Sequence, residues 1–236
     1  SILKAQARTI ARHLVSNVMP PLLRGIYRVL TYSPIALLRE QQKLRQVLAT
    51  WKGEQVFMFP YVSMGGAEQV HTGIVGCIAD RDPLIIICAF SPDRAFEDRF
   101  ARSGTMLEIP RLLNHPWTRR ATLRSIAGNV NGLGNAVILG SLSDAFFDLL
   151  PMLKREIRTL YVQHAFLFQP GANQQHKAWL RHFDRVDGYL FPSTMAMKEF
   201  DKFLFHQNVP GTRSSKLVPV PCAAPSFGEV TDHDRT

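Results

Sequence analysis

Over the first fifty residues, apolar and basic positions recur with the period of an α-helix, so they fall on different faces of the helix. They recur at intervals of three and four residues, at Leu3, Ala7, Ile10 and Leu14 on the apolar face and at Lys4, Arg8 and Arg12 on the basic face. Pro20 and Pro21 end this helix, and further helices are predicted over 22–31 and 35–50. The pattern therefore predicts a basic, amphipathic helical arm over residues 1–52.

From residue 53 the pattern changes to short apolar runs, nearly all separated by stretches of helical periodicity, which is typical of parallel βαβ units. The predicted strands are 55–60, 84–90, 105–109, 136–140, 159–163, 187–191 and 216–220. The predicted helices between them are 66–80, 94–103, 116–131, 143–155, 173–183 and 194–206. The unbroken apolar run at 84–90 indicates burial on both faces of the sheet. We predict an α/β fold with a doubly wound, mostly parallel, Rossmann-like sheet over 53–225, followed by a linker over 226–236.

Charge is unevenly distributed along the chain. Residues 1–50 contain eight Lys or Arg residues and one acid, Glu40, so they hold +7 of the net charge of +9. The arm could therefore dock on an anionic membrane, or pack on the domain or a partner with its charges in solvent. A nucleic-acid-binding function is disfavoured, because the charge excess is confined to the arm and lacks interleaved aromatic residues.

The lengths of the apolar runs and the cysteine content indicate the cellular compartment. No run of eighteen apolar residues is uninterrupted, so no spanning helix is predicted. Three cysteines, Cys77, Cys88 and Cys222, lack the spacing of a metal site and fit a reducing compartment. We expect a cytoplasmic protein, either free or peripheral at the inner face of the membrane.

Candidate chemistry is concentrated after the predicted strands, because ligands bind beyond the carboxyl ends of strands in open parallel sheets. Gly65 and Gly66 follow the first strand and open a helix, where free N–H groups attract an anion such as phosphate. The alternative is that they only permit tight packing. The loop matches neither a Walker A sequence nor G-x-G-x-x-G, so a P-loop NTPase or an ordinary dinucleotide domain is disfavoured.

Three more polar residues follow later strands. His164 could donate to a sugar hydroxyl or a phosphate oxygen, or be satisfied by loop backbone. Ser141 and Asp144 could hydrogen-bond a polyol, whereas Ser143 and Ser193 are better explained as helix caps.

Two kinds of chemistry are disfavoured. The histidines His176, His182 and His206 lack clustered carboxylates, so no metal site is predicted. No G-x-S-x-G motif and no recognisable Cys/His pair supports a hydrolase.

The order of these motifs resembles a known family. The turn 64–68, His164 after a later strand, the segment 183–193 and the strand with its prolines at 216–221 together resemble the N-terminal domain of GT-B glycosyltransferases of the retaining, GT4-like group. The similarity spans about residues 54 to 225. The segment 221–225 departs from the Asn-Gly turn that such enzymes often have before the interdomain linker.

The resemblance implies a function for this half of the molecule. It implies that Gly65 and Gly66 approach the diphosphate or sugar of a nucleotide-sugar donor, and that loops of this domain bind a hydroxyl acceptor. Candidates for the acceptor or sugar are His164, Ser141, Asp144 and Glu68, although Glu68 could only complement the helix dipole.

The resemblance further implies that most donor contacts belong to a second domain that is absent from this chain. No catalytic base is assigned here, and no cofactor or metal is expected beyond the nucleotide-sugar co-substrate. The acceptor could be a glycan, a lipid-linked molecule or a protein. The alternative function is a noncatalytic α/β binding or scaffolding module that uses its basic arm on a membrane or protein partner.

Overall fold

The computed structural model describes residues 33–167, 179–209 and 215–220. Seven strands form one sheet in the order β3-β2-β1-β4-β5-β6-β7, and each pairing whose register is described is parallel. The strands are β1 Gln55–Phe59, β2 Leu84–Ile87, β3 Thr105–Glu108, β4 Val137–Ser141, β5 Arg158–Val162, β6 Gly188–Phe191 and β7 Leu217–Pro219. All seven strands predicted from the apolar runs are confirmed, and so is the Rossmann-like α/β class.

Helices separate most of these strands. They are α1 Pro34–Thr50, α2 Gly66–Gly76, α3 Glu97–Ser103, α4 Pro110–Asn114, α5 Arg119–Val130, α6 Asp144–Leu149 and α7 Thr194–His206. Short 3₁₀ turns lie at Ala79–Arg81, Leu150–Met152 and Phe183–Arg185. Helix α4 was not predicted, because five residues carry too little periodicity to register. The helices predicted before residue 33, most of the one at 173–183, and the linker 226–236 lie outside the described residues.

Contacts divide the chain into two compact units, residues 1–159 and 160–236, and the boundary falls inside β5. In the first unit the chain runs outward from β1 to β2 and β3 and then returns to β4 on the other side of β1. Because crossovers between parallel strands are right-handed, this return places α2 and α3 on one face and α4 and α5 on the other. All four residues of β2 are fully buried, as the unbroken apolar run predicted.

Helix α1 belongs to the predicted arm, yet it packs on α4 and β3. The Glu40 carboxylate accepts hydrogen bonds from the Leu112 backbone N–H (3.0 Å) and from Arg111 Nη1 (2.9 Å), at the start of α4. Burial raises the pKa of Glu40, and these hydrogen bonds oppose that rise. Leu44 and Trp51 are buried, and Trp51 Nε1 donates to the Asp82 carbonyl at 2.8 Å. The described part of the arm, residues 33–52, is thus fastened to the first unit.

The second unit is built around aromatic side chains. Phe166 packs edge-on against Phe200, whose ring also contacts those of Tyr189 and Phe203. Ser193 accepts a hydrogen bond from the Ala196 N–H at the start of α7, which confirms the predicted cap. Lys216 Nζ donates to the carbonyls of Phe183 (3.1 Å) and Val186 (2.8 Å), which fixes the start of β7.

Gly140 connects the sheet to α6. A Cβ atom there would collide with the ring of Phe146, which is fully buried. Gly140 pairs in register with Met58 of β1, so the strand cannot move away without disturbing the centre of the sheet. Glycine at 140 is required for helix α6 to pack closely on the end of β4.

We expect Gly140→Ala to lower the free energy of unfolding by about 1–3 kcal/mol, because an added methyl overpacks this contact. Gly128→Ala is the matched control, since a Cβ at Gly128 meets no atom within 4 Å. Urea unfolding of both variants measures the difference. Equal stability of the two variants would contradict the packing argument.

Candidate functional site

The direction of the chain reverses between β1 and β4, so the loops that follow these two strands lead to helices on opposite faces of the sheet. Such a reversal leaves a crevice beyond the carboxyl ends of the two strands, where open α/β sheets bind ligands. In this chain the crevice lies between the loop 60–65 and the loop 142–143, both within the first unit. It is the candidate functional site.

The loop after β1 is held by the loop after β2. The Met64 N–H donates to Asp93 Oδ1 at 2.9 Å, and the same oxygen accepts from the Ala95 N–H at 3.1 Å. The Val62 N–H donates to Ser91 Oγ at 3.0 Å. These contacts fix the backbone that delivers Gly65 to the crevice. Sequence reasoning did not identify Asp93, although the turn-forming sequence Ser91-Pro92-Asp93 was a signal for it.

Gly65 is the residue before helix α2. Its φ of −176° is extended backbone that any residue can adopt. The Glu68 carboxylate folds back against the Gly65 backbone, in the space that a Cβ would otherwise occupy. Because this carboxylate is the end of a flexible side chain, glycine permits its position without being required by the packing.

Glu68 lies in the first turn of α2, as predicted, and it is only 7% exposed. Among the described residues, no hydrogen-bond donor and no cation pairs with its carboxylate. Its carboxylate is therefore available to a ligand that supplies hydrogen-bond donors.

Gly66 has no packing role within the described chain, because a Cβ there meets no atom within 4 Å. The first intrahelical hydrogen bond of α2 runs from the Gln69 N–H to the Gly65 carbonyl at 3.0 Å. The N–H groups of Gly66, Ala67 and Glu68 therefore have no partner inside the helix. The helix presents donors and open space where a ligand could approach the backbone closely.

The loop after β4 forms the other wall of the crevice. Ser141 is fully buried, and Asp144 is exposed in the first turn of α6. Between them Leu142 has a φ of 48°, a left-handed conformation that is uncommon for a residue with a side chain and costs free energy. Strain of this kind is frequent at binding sites, and no local sequence pattern indicates it here.

Ser143 occupies the N-cap position of α6, but its hydroxyl makes no capping hydrogen bond, so the predicted side-chain cap is wrong. The hydroxyl instead lies near the Cys88 thiol, which follows β2. Burial raises the pKa of Cys88 to about 12, so the thiol stays protonated and unreactive at neutral pH.

Scans against models of protein families and against curated proteins find no match to this chain. The resemblance to GT-B glycosyltransferases thus remains a prediction that rests on the motifs quoted above.

His164 lies in the second unit, directly after β5. It follows Gln163, whose backbone N–H donates to the Leu190 carbonyl at 2.9 Å and whose side-chain Nε2 donates to the Ala165 carbonyl at 2.8 Å. Burial lowers the pKa of the half-buried His164 to about 4. The imidazole is therefore neutral at physiological pH and can both donate and accept a hydrogen bond.

The structure thus brings five predicted site residues to the crevice of the first unit: Gly65, Gly66, Glu68, Ser141 and Asp144. His164 belongs to the second unit. Within the described ranges, no cluster of three metal-ligating side chains occurs and no helix is long and apolar enough to cross a bilayer.

Helix α5 carries three arginines, Arg119, Arg120 and Arg124, which could bind an anionic acceptor or form a solvated helix face. Arg119 pairs with Asp148 at 2.6 Å and donates to the Leu113 carbonyl at 2.8 Å. Arg120 and Arg124 are exposed. Because Arg119 is already paired, this helix face has one fewer cation available to bind an anion.

The lowered pKa of His164 predicts a pH dependence of stability. Because the unfolded chain binds this proton near pH 6.5 and the folded chain only near pH 4, acidification through that window favours unfolding. We expect His164→Asn to remove about 1–2 kcal/mol of the stability lost between pH 7 and pH 4.5, allowing for partial solvent screening. Urea unfolding at both pH values measures this, with the exposed-site variant His206→Asn as control. Identical losses in all three proteins would refute it.

Proposed function

We propose that this chain is the acceptor-binding half of a glycosyltransferase, which moves a sugar from a nucleotide-sugar to a hydroxyl acceptor. In this proposal the crevice of the first unit holds the reacting hydroxyls, with Glu68 and the start of α2 as its polar floor. Most contacts to the nucleotide come from a second domain, as the resemblance implies. The chain's own residues bind and orient, and none of them acts as a nucleophile.

The carboxylate of Glu68, which has no partner among the described residues, is the observation that carries the proposal. Hydroxyl groups are donors as well as acceptors, so a sugar or another polyol can satisfy Glu68 and also accept from the N–H groups of α2. A purely anionic ligand cannot donate to the carboxylate. The combination of acceptor and donors in one turn is suited to hydroxyl-rich molecules.

Electrostatics also indicates which part of the nucleotide-sugar lies at the turn formed by Gly65 and Gly66. The positive end of a helix dipole attracts phosphate, but the carboxylate of Glu68 already occupies that field and repels a second negative charge. Of the two alternatives for Gly65 and Gly66, diphosphate or sugar, the geometry favours the sugar. The diphosphate then takes its cationic contacts from outside this turn.

The remaining candidates have distinct roles in this proposal. Asp144 is exposed at the start of α6 and accepts from an acceptor hydroxyl, whereas Ser141 is covered and supports the loop instead. His164 is neutral and suits a hydroxyl, to which it can donate without adding charge. Closing two domains around these groups would exclude water and align the acceptor oxygen with the anomeric carbon.

Substitution of Gly66 can distinguish a role of this residue in ligand binding from a role in folding. We expect Gly66→Ala to be neutral or to stabilise the fold by up to about 1 kcal/mol, because the methyl meets open space and helix propensity improves. The same variant should weaken nucleotide-sugar binding at least tenfold, since the methyl projects where the ligand approaches. Gly73→Ala in the same helix is the matched control, with open space and no ligand nearby. Calorimetric titration and thermal unfolding measure both effects, and equal binding by the two variants would contradict the assignment.

The proposal as a whole is tested by a sugar-transfer assay on the protein as its gene encodes it, with a panel of nucleotide-sugars and hydroxyl acceptors. We expect transfer from at least one donor, and we expect Glu68→Gln to reduce kcat/KM at least tenfold while the folded content is unchanged. Absence of transfer and of nucleotide-sugar binding across the panel would favour the scaffolding alternative.

A further inference from the structure

Exposed apolar side chains are concentrated at one edge of the first unit. Among its described residues, seven large apolar side chains are exposed, and five of them lie in loops beyond the carboxyl ends of the strands. These five form what is here termed the apolar rim: Tyr61, Met64, Phe90, Trp117 and Leu142. The other two, Ile35 and Leu38, lie on α1. An apolar concentration of this kind marks a binding surface more often than chance exposure.

The loops that carry the rim are neighbours. Tyr61 and Met64 flank Val62, whose N–H donates to Ser91, the residue after Phe90. Gly140 of β4 pairs with Met58 of β1. Leu142 comes two residues later, so it lies beside the loop that follows β1. The turn with Trp117 follows α4, where Asn114 Nδ2 donates to the Cys88 carbonyl at 2.9 Å. These links place the rim loops at the same end of the sheet as the crevice.

Two rim residues are held in position by specific features. Leu142 is presented by its strained backbone with a φ of 48°. Phe90 lies under the guanidinium of Arg111 at 5.2 Å, and Arg111 is in turn held by Glu40. Such restraint lowers the entropy lost when a ligand orders these side chains.

Three arginines near the rim are paired with carboxylates. Arg111 pairs with Glu40 at 2.9 Å, Arg119 with Asp148 at 2.6 Å, and Arg94 with Glu108 at 2.8 Å. An anionic bilayer binds through cations that are available to lipid headgroups. The paired arginines offer little to such headgroups, and the exposed Arg120 and Arg124 lie on α5 and not in the rim loops, so the rim itself favours an uncharged apolar occupant.

We propose that the acceptor of this protein is an amphipathic molecule, which presents a hydroxyl group to Glu68 and an uncharged apolar portion to the rim. This inference rests on the proposed function and names its substrate class. The hydroxyl group of the ligand donates to Glu68, and its apolar portion covers the rim. A free oligosaccharide would leave the rim uncovered, and a simple alkane would leave Glu68 without a donor.

The test compares alkyl glucosides of increasing chain length, all as monomers in solution, for binding to the 236-residue chain. Burial of a methylene against apolar surface tightens binding by at most about fourfold, so partial burial predicts about a twofold gain for each carbon added. The rim variant combines Met64→Gln and Trp117→Gln, which are both highly exposed and should not affect folding. The control combines Ile35→Gln and Leu38→Gln, which remove similar exposed apolar area from α1.

We expect affinity to rise with chain length for the natural sequence and for the control, and to be flat for the rim variant. Flat affinity for the natural sequence would overturn the inference, as would an unchanged rise for the rim variant. Rim-dependent binding to vesicles of neutral lipid, without binding to monomeric glucosides, would also overturn it in favour of a bilayer.

The sugar-transfer assay separates this inference from the function on which it rests. Transfer to methyl and octyl glycosides with equal kcat/KM would overturn the amphipathic acceptor and leave the glycosyltransferase intact. Affinity could instead rise with chain length through the rim while no nucleotide-sugar supports transfer. That result would refute the proposed glycosyltransferase function, and the bound amphiphile could then not be called an acceptor.

Discussion

Right-handed crossovers impose the constraint on which the arrangement of the first unit depends. Because the chain runs from β1 to β3 in one direction and returns to β4 in the other, its helices must cover both faces of the sheet. The same reversal separates the loops after β1 and β4 and opens the crevice. Close packing of α6 on β4, which requires Gly140, keeps one wall of that crevice in place. The site therefore results from topology before any side chain is considered.

Side chains then give the crevice its chemistry. The Glu68 carboxylate lies against Gly65 and has no partner among the described residues. The backbone of the turn is held by Asp93 and the helix start offers N–H donors. Beside this polar floor the apolar rim contributes hydrophobic surface, and three arginines near the rim are already paired. Together these features favour a ligand with hydroxyl groups at one end and apolar surface at the other.

Much of the fold could be predicted because buried parallel strands have an unmistakable composition. Leu84–Ile87 is apolar at every position and fully buried, and four of the five residues of its neighbour β1 are also buried. Contacts between distant residues could not be predicted. Glu40, the single acid of a basic segment, attaches α1 to α4, and no local pattern distinguishes such a residue from a solvated one. The position of the glycine turn was predicted, whereas the contacts that Asp93 makes with this turn and the strain at Leu142 depend on tertiary packing.

The most direct test of the central claim is a crystal structure of the protein as encoded, with a nucleotide-sugar and an alkyl glycoside bound. We expect a ligand hydroxyl within hydrogen-bonding distance of the Glu68 carboxylate, a sugar ring against Gly66, and the alkyl chain on the rim. Ligands bound elsewhere, with Glu68 still unpaired and the rim uncovered, would contradict it.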